Sequence, residues 1–347
     1  GVVRVLNSRY LLKFKHQNKI IWVVSAWSTG FTIFFFSYML IGINDTIGFI
    51  MSLTATVIIG SFASVGDATI IGFMKAIPAE NIAGWSSGTG IAGLTGAGLY
   101  LIFSTIGMEF NHIVIALFPI SFIYFANFKV ILNLKAAVDK KFPDQTSLVD
   151  PNSNKDIQSI NEEKEAKVNE SLSWPAIKNV LKLVGFPIYN LSWVYFLEYC
   201  CTTSFAERAN PKKTDTTGQD FWHRKAFVLL ALSYQLGVFI SRSSFYLFKV
   251  RRVDLLTYSQ AINFFVFFSI AYWKWIEIYY QIPIMIWVGL MGGCSYVNCY
   301  FMILENKDLS KSQKEIAINV AAFFNDIGIV SAAFFAIFVS NFVIVDS

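Results

Sequence analysis

Long apolar stretches alternate with shorter polar ones along almost the whole chain. Nine of the apolar stretches approach or exceed the length of about 20 residues that an α-helix needs to cross a bilayer. They cover residues 20–43, 46–73, 83–106, 112–134, 177–205, 226–248, 255–272, 282–304 and 316–345. Barrel strands are much shorter, and lipid offers no water to unpaired backbone groups. The pattern therefore predicts an all-α polytopic membrane protein with about nine spans.

One polar interval is far longer than the others. Residues 135–176 are charged and rich in Asn and Ser, a composition that cannot bury a core and is typical of a flexible linker. We expect a basic segment at 1–19, four membrane helices in 20–134, this linker, and five helices in 177–347. Two helical halves joined by a polar loop are the layout of transporters built from repeats.

The composition and the distribution of charge fit this interpretation. With 55% hydrophobic and 15% charged residues, the chain is too apolar for a single soluble core. Most basic loops fall on one side of the membrane if the nine spans alternate, and short cytoplasmic loops carry the positive excess. We therefore expect residue 1 and the linker in the cytosol. The net charge of +5 then indicates lipid headgroups as neighbours and no nucleic-acid partner.

One glycine-rich stretch matches the dinucleotide-binding pattern G-x-G-x-x-G, from Gly88 to Gly93. That motif requires a strand before the turn and a soluble βαβ unit around it, whereas here a polar loop precedes a helix of lipid length. We expect the glycines to serve close helix packing. Ser87 and Thr89, within the same stretch, could line a polar path.

Four ionisable residues within the spans are the main functional candidates: Asp67, Glu198, Arg242 and Asp326. Each costs at least about 2.5–3.5 kcal/mol near the bilayer centre and needs a partner, water or a function. Asp326 lies about 16 Å into its span, near the midplane. Asp326 and Glu198 could hold a coupling proton or simply bond to neighbouring helices, whereas Asp67 is expected to pair locally.

Arg242 has two open interpretations. It lies about 9 Å from the end of its span, so its long side chain could reach the headgroups. Alternatively, its guanidinium could bind an anionic solute group, or Glu198 or Asp326, with Gln235 on the same helical face. In the eighth span, Tyr296 and Asn298 are further cavity-lining candidates. Glu305 lies at the predicted cytosolic boundary, where an interfacial charge is common, and remains a candidate ion-pair or proton-coupling residue.

Nothing in the sequence indicates an enzyme. The four cysteines lie inside apolar stretches and suggest core residues, while His16, His112 and His223 lie at span edges. No Cys/His metal spacing and no nucleophile with a nearby base is present. We therefore predict no catalytic residues, no metal site and no cofactor.

Several strings together resemble the battenin family of lysosomal and fungal vacuolar membrane proteins: "GWSSGTGIAGLTGA", "VYFLEY", "YQLGVFISRSS", "GGCSYVNCYFMILEN" and "NDIGIVSAAFFAIF". The resemblance runs from about Phe62 to the C-terminus and implies a two-half bundle similar to the major facilitator and equilibrative nucleoside transporter folds. Against the family pattern, the first two spans are expected to be missing, and the C-terminal prenylation box of some members is absent. At Asp67 family members usually have Glu.

The resemblance implies a late-endosomal, lysosomal or vacuolar protein that handles glycerophosphodiesters or basic amino acids and contributes to luminal pH balance. We therefore expect a secondary transporter of a small polar or anionic solute that could be coupled to protons. The predicted solute-binding residues are Arg242, Gln235, Ser87, Thr89, Tyr296 and Asn298, and the predicted proton-coupling or ion-pair residues are Glu198, Asp326, Asp67 and Glu305. The alternative is a non-transporting accessory or scaffold subunit, with a protein partner or further spans completing the bundle.

Overall fold

The computed structural model describes residues 14, 16–74, 81–141, 174–209, 220–246, 249–309 and 311–344. Within these ranges the chain forms helices joined by turns, with no strand. The α-helices are α1 (His16–Met39), α2 (Asp45–Met74), α3 (Asn81–Thr105), α4 (Phe110–Leu117), α5 (Pro119–Lys141), α6 (Trp174–Tyr199), α7 (Ala206–Ala209), α8 (Phe221–Arg224), α9 (Ala226–Ser243), α10 (Val253–Trp273), α11 (Ile278–Glu305) and α12 (Lys311–Phe338). The all-α prediction is confirmed.

Eight segments in the described part of the chain are long and apolar enough to cross a membrane. They are Gln17–Met39, Asp45–Asp67, Phe110–Leu134, Lys178–Ala209, Ala226–Ser243, Val253–Trp273, Ile278–Glu305 and Ile316–Val343. The third predicted span, 83–106, corresponds to α3, a helix of 25 residues that is not among the eight. Its many glycines and hydroxyl side chains lower its mean hydropathy.

The glycine-rich stretch lies in the interior of α3 and forms part of a continuous helix. A dinucleotide-binding turn would instead join a strand to the start of a helix. The match to that motif is therefore accidental, as the sequence predicted.

The described residues fall into two compact units. The first contains α3 up to Ile102 together with the helices from α6 to α12, and the second contains α1, α2, α4 and α5. The packing thus groups α3 with helices that follow it by more than 70 residues. The predicted boundaries of the two halves, which follow chain order, stay a prediction.

The second unit is built around the packing of α1 against α2. Gly42 has φ +79° in the turn between them, a left-handed conformation that glycine adopts without strain, and its N–H donates to Asp45 over 2.8 Å. The Trp27 indole donates to the Ile59 carbonyl over 3.3 Å and packs on the Tyr124 ring. These contacts hold α1, α2 and α5 together.

Within the first unit, α9 and α11 pack so closely that glycine is required at their contact. A Cβ on Gly289 would overlap the Tyr234 carbonyl, and one on Gly237 would overlap the Ile286 carbonyl. Close backbone approach through small residues is the usual way in which helices associate in lipid. Gly328 of α12 is used in the same way against the Ser192 carbonyl of α6.

Helix α6 departs from regular geometry at two places. Val184 has non-helical dihedrals (φ −130°, ψ 22°) three residues before Pro187, whose ring clashes with the preceding turn and kinks helices. The segment Cys200–Phe205 then continues the helix as a π-helix, a form often found at functional sites. Glu198 lies two residues before this segment.

Candidate functional site

Arg242 lies near the C-terminal end of α9, and three elements supply its contacts. Its Nη1 donates to the Thr89 hydroxyl of α3 over 2.9 Å, and its Nη2 donates to the Tyr195 hydroxyl of α6 over 3.4 Å. The guanidinium carbon lies 4.4 Å from the centroid of the Tyr296 ring of α11, a cation–π distance. Arg242 is thus turned toward neighbouring helices, which favours the interior interpretation over snorkelling.

No carboxylate of the described residues forms an ion pair with Arg242. Its Nε atom is buried and has no hydrogen-bond partner. A half-buried cation whose described contacts are hydroxyl groups and an aromatic face retains a donor for an anion. Planar guanidinium groups bind carboxylates and phosphates through two parallel bonds.

Glu198 is 1% exposed, so it is one of the most deeply buried charged residues in the described chain. Its Oε1 accepts a hydrogen bond of 3.1 Å from the Tyr234 hydroxyl of α9. Its Oε2 has no hydrogen-bond partner and lies directly against Gly292 of α11, where a Cβ would overlap it. Among the described residues, the carboxyl group therefore has one neutral donor and no cation bonded to it.

Helix α3 meets α9 along the face that carries the predicted binding residues. The hydroxyls of Ser87 and Ser243 lie 3.0 Å apart and share a hydrogen bond. Gln235 lies against Gly93, where a Cβ would overlap its amide oxygen. The structure thus brings four predicted residues, Ser87, Thr89, Gln235 and Arg242, to one contact between two helices, and Tyr296 joins them from α11.

The structure places Asn298 and Glu305 elsewhere on α11. Asn298 uses its amide to hold the loop before α10: its oxygen accepts from the Val250 N–H over 2.7 Å, and its nitrogen donates to the Cys294 carbonyl over 2.8 Å. Glu305, at the end of α11, lies 3.7 Å from the exposed Arg251 guanidinium. Neither residue contacts Arg242 or Glu198 through a hydrogen bond or ion pair.

Each of the two remaining predicted carboxylates lies within electrostatic reach of a tyrosine of its own unit. Asp326 is a half-buried residue of α12, within electrostatic reach of Tyr199 of α6. Asp67 is an exposed residue of α2, within electrostatic reach of Tyr124 of α5, and both belong to the second unit. The local pairing expected for Asp67 stays a prediction.

Two tyrosines that matter for this geometry were not among the predicted site residues. Tyr195 bonds to Arg242, and Tyr234 bonds to Glu198. Tyr195 precedes Glu198 by three residues and therefore shares its helical face, a spacing that could have identified it. Tyr234 reaches Glu198 from another helix, and only tertiary packing reveals that contact.

Charged groups buried among membrane-length helices define this chain as an all-α polytopic integral membrane protein. Its sequence matches the CLN3 protein family over residues 2–345, and the chain belongs to that family. Battenin of Dictyostelium discoideum is 31% identical over 274 residues, which cover 73% of this chain and 63% of that protein. The resemblance to the battenin family is confirmed.

Other relatives show similar coverage. Protein BTN1 of Yarrowia lipolytica is 30% identical over 262 residues, which cover 72% of this chain and 62% of that protein. Battenin of Canis lupus familiaris is 27% identical over 249 residues, which cover 71% and 54%. The matched region thus spans less than two thirds of the length of each of these relatives.

Proposed function

We propose that this chain acts as a battenin-like secondary transporter of the lysosomal or vacuolar membrane. Its solute is a small polar molecule with an anionic group, either a glycerophosphodiester or a basic amino acid, and its movement is coupled to protons. The names of the relatives suggest the compartment, and the solute class is what the resemblance to the battenin family implies. The residues of this chain support the binding and coupling roles.

The observation that carries the proposal is the setting of Arg242. Removing part of a guanidinium from water is costly, and the described contacts of the half-buried Arg242 offset that cost only with neutral groups: Thr89, Tyr195 and the Tyr296 ring. A phosphodiester or an α-carboxylate would supply the missing negative charge. Arg242 is therefore the residue that binds the anionic group, with Thr89 and Tyr296 orienting it.

Glu198 is the better placed of the two candidate proton carriers. It is fully buried beside Tyr234, without a bonded cation, and it lies on the same helix as the Arg242 contact Tyr195. Proton binding removes the negative charge of the Glu198 carboxylate. A bound anion adds a negative charge beside Arg242, in the same cluster of helices. The two events are thus coupled electrostatically in a medium of low dielectric constant.

The test is solute flux in proteoliposomes that contain the purified chain, with an imposed pH gradient and labelled glycerophosphocholine or lysine as probes. Wild-type protein should move one of the probes, and Arg242→Gln should abolish that movement. Arg252→Gln, which changes an exposed arginine near the same end of the bundle, is the matched control and should keep it. Equal flux with Arg242→Gln would overturn the binding role, and no flux with wild type would favour the scaffold alternative.

A second variant in the same flux assay tests whether solute movement is coupled to protons. Glu198→Gln keeps the size of the side chain and its acceptor for Tyr234 but cannot release a proton. We expect this variant to fold and to move solute at a rate that no longer responds to the pH gradient. A gradient response equal to that of wild type would assign the proton to another residue.

A further inference from the structure

His223 lies in a cluster of polar groups beside the N-terminal end of α9, whereas Arg242 lies near the C-terminal end of that helix. Asp220 precedes the short helix α8 and caps it by accepting the His223 backbone N–H over 3.1 Å. The same carboxylate oxygen contacts the imidazole Nδ1, and the other oxygen accepts the Tyr279 hydroxyl of α11. The imidazole Nε2 lies 3.1 Å from Oε2 of Glu277, the residue before α11.

The number of protons on the His223 imidazole decides whether both of its contacts with carboxylates are favourable. A neutral imidazole has a single N–H, and carboxylates only accept. One ring placed between two carboxylate oxygens therefore needs both nitrogens protonated to make two favourable contacts. If the ring loses a proton, one contact becomes a repulsion between lone pairs.

We propose that His223 is a pH-dependent latch between α8 and the start of α11. The protonated imidazole holds both Asp220, which caps α8, and Glu277, which precedes α11, and the neutral imidazole releases one of these two carboxylates. The latch stands on contacts within this cluster, and it does not depend on the proposed solute or on the roles of Arg242 and Glu198.

The surrounding groups favour the protonated imidazole, which is the state in which the latch is closed. The hydrogen bond to Asp220 and then the one to Glu277 raise the pKa of His223 above its ordinary value of 6.5. The hydrogen bonds from Tyr279 and His223 lower the pKa of Asp220 to about 2, so Asp220 stays ionised wherever His223 titrates. The other charged groups on these elements are Arg224, Lys225 and Lys274, and none of them contributes to the shift of His223.

The sign of the effect follows from these directions. A raised pKa means that the latch contributes its full stability below about pH 6.5, the ordinary value, and loses it as the pH rises through the raised pKa. The lowered pKa of Asp220 has the opposite sense, and its contribution is lost only as the pH falls toward about 2.

The position of the latch gives it a structural consequence. Helix α8 packs against both α9 and α11, the pair whose backbones meet at Gly237 and Gly289. The latch ties these two helices together at their N-terminal ends, beyond that close contact. Its opening leaves the N-terminal end of α9 held to α11 by fewer bonds.

The chain contains only three histidines, so the latch can be observed directly. In full-length protein labelled with 15N-histidine, each imidazole gives its own NMR titration curve. The curve that disappears in His223→Gln should have a midpoint above 6.5 in wild type, and Glu277→Gln should lower that midpoint. A midpoint at or below 6.5, or one that Glu277→Gln leaves unchanged, would overturn the proposal.

Hydrogen exchange provides a second measurement on the same protein. After correction for intrinsic rates, backbone amides of residues 221–226 should lose protection about two- to fivefold between about pH 5 and about pH 8, as expected for an exposed ion pair. His112→Gln, which changes an exposed histidine of α4, should keep this loss, and Glu277→Gln should reduce it. Equal loss in wild type and Glu277→Gln would contradict the latch even if His223→Gln does not fold.

Discussion

Charged side chains in the interior of the helices and at their ends are stabilised in different ways. At the ends, charges pair with opposite charges: Arg251 lies beside Glu305, Arg252 beside Asp254, and His223 between two carboxylates. In the interior, Arg242 contacts two hydroxyls and an aromatic ring, and Glu198 contacts one phenol. The boundary charges are satisfied within the protein, whereas the interior ones retain bonding capacity.

This difference indicates where a solute would be bound. A closed salt bridge between Arg242 and Glu198 would neutralise both groups and leave nothing for a ligand to neutralise. The intervening tyrosines keep them in one electrostatic environment without such a bridge. The interior arrangement is therefore less stable than full pairing but suited to reversible binding, and the variants below test that contrast.

The largest effect is expected where the interior helices meet. Gly289→Val places side-chain atoms into the Tyr234 carbonyl, so α9 and α11 must separate, at a cost of about 1–3 kcal/mol or more. Thermal unfolding in detergent should show a clear drop in Tm. Gly96→Val is the matched control, because nothing lies within 4 Å of a Cβ there, and it should change Tm much less. Equal drops would mean that the contact does not set the helix spacing.

A smaller effect is expected at the phenol that contacts Glu198. Tyr234→Phe removes one hydrogen bond to Oε1 while keeping the ring. If the carboxyl group is protonated, the loss should be that of a neutral bond, about 0.5–1.5 kcal/mol, rather than about 1.5–3 kcal/mol for a charged acceptor. Thermal unfolding of the single variants and of the double variant with Glu198→Gln separates these cases. A coupling in the higher range would show that Glu198 carries a charge.

The smallest effect is expected at the helix ends. Arg251→Ala removes an ion pair of 3.7 Å whose partners are 80% and 49% exposed, and exposed pairs contribute about 0–1 kcal/mol. Its Tm should stay close to that of wild type, with any difference disappearing at high salt. A loss as large as that of Tyr234→Phe would remove the distinction between interior and boundary charges.

Much of the fold could be predicted from the sequence. The length and hydrophobicity of the apolar stretches predict membrane helices because the bilayer imposes both requirements. The spacing of Gln235 and Arg242 predicted a polar face of α9, and the structure places Ser87, Thr89 and Gly93 of α3 against it. These signals are local, since each depends only on residues within one helix.

The remaining features depend on tertiary contacts that no single helix encodes. The grouping of α3 with later helices, the bond from Tyr234 to Glu198 and the contact of Glu277 with His223 all join residues distant in sequence. Asn298 illustrates the reverse case. Its buried, polar position suggested a ligand contact, but its amide bonds to the Val250 N–H and the Cys294 carbonyl.

The central claim is that Arg242 binds the anionic group of the solute, and equilibrium binding tests it without requiring transport. Labelled glycerophosphocholine and labelled lysine should be titrated onto detergent-solubilised wild type, Arg242→Gln and the control Arg252→Gln. We predict that one probe binds wild type and Arg252→Gln alike, and that Arg242→Gln weakens its binding roughly 10- to 150-fold, the loss of hydrogen bonds to a charged group. Undiminished binding to a folded Arg242→Gln protein would contradict the claim.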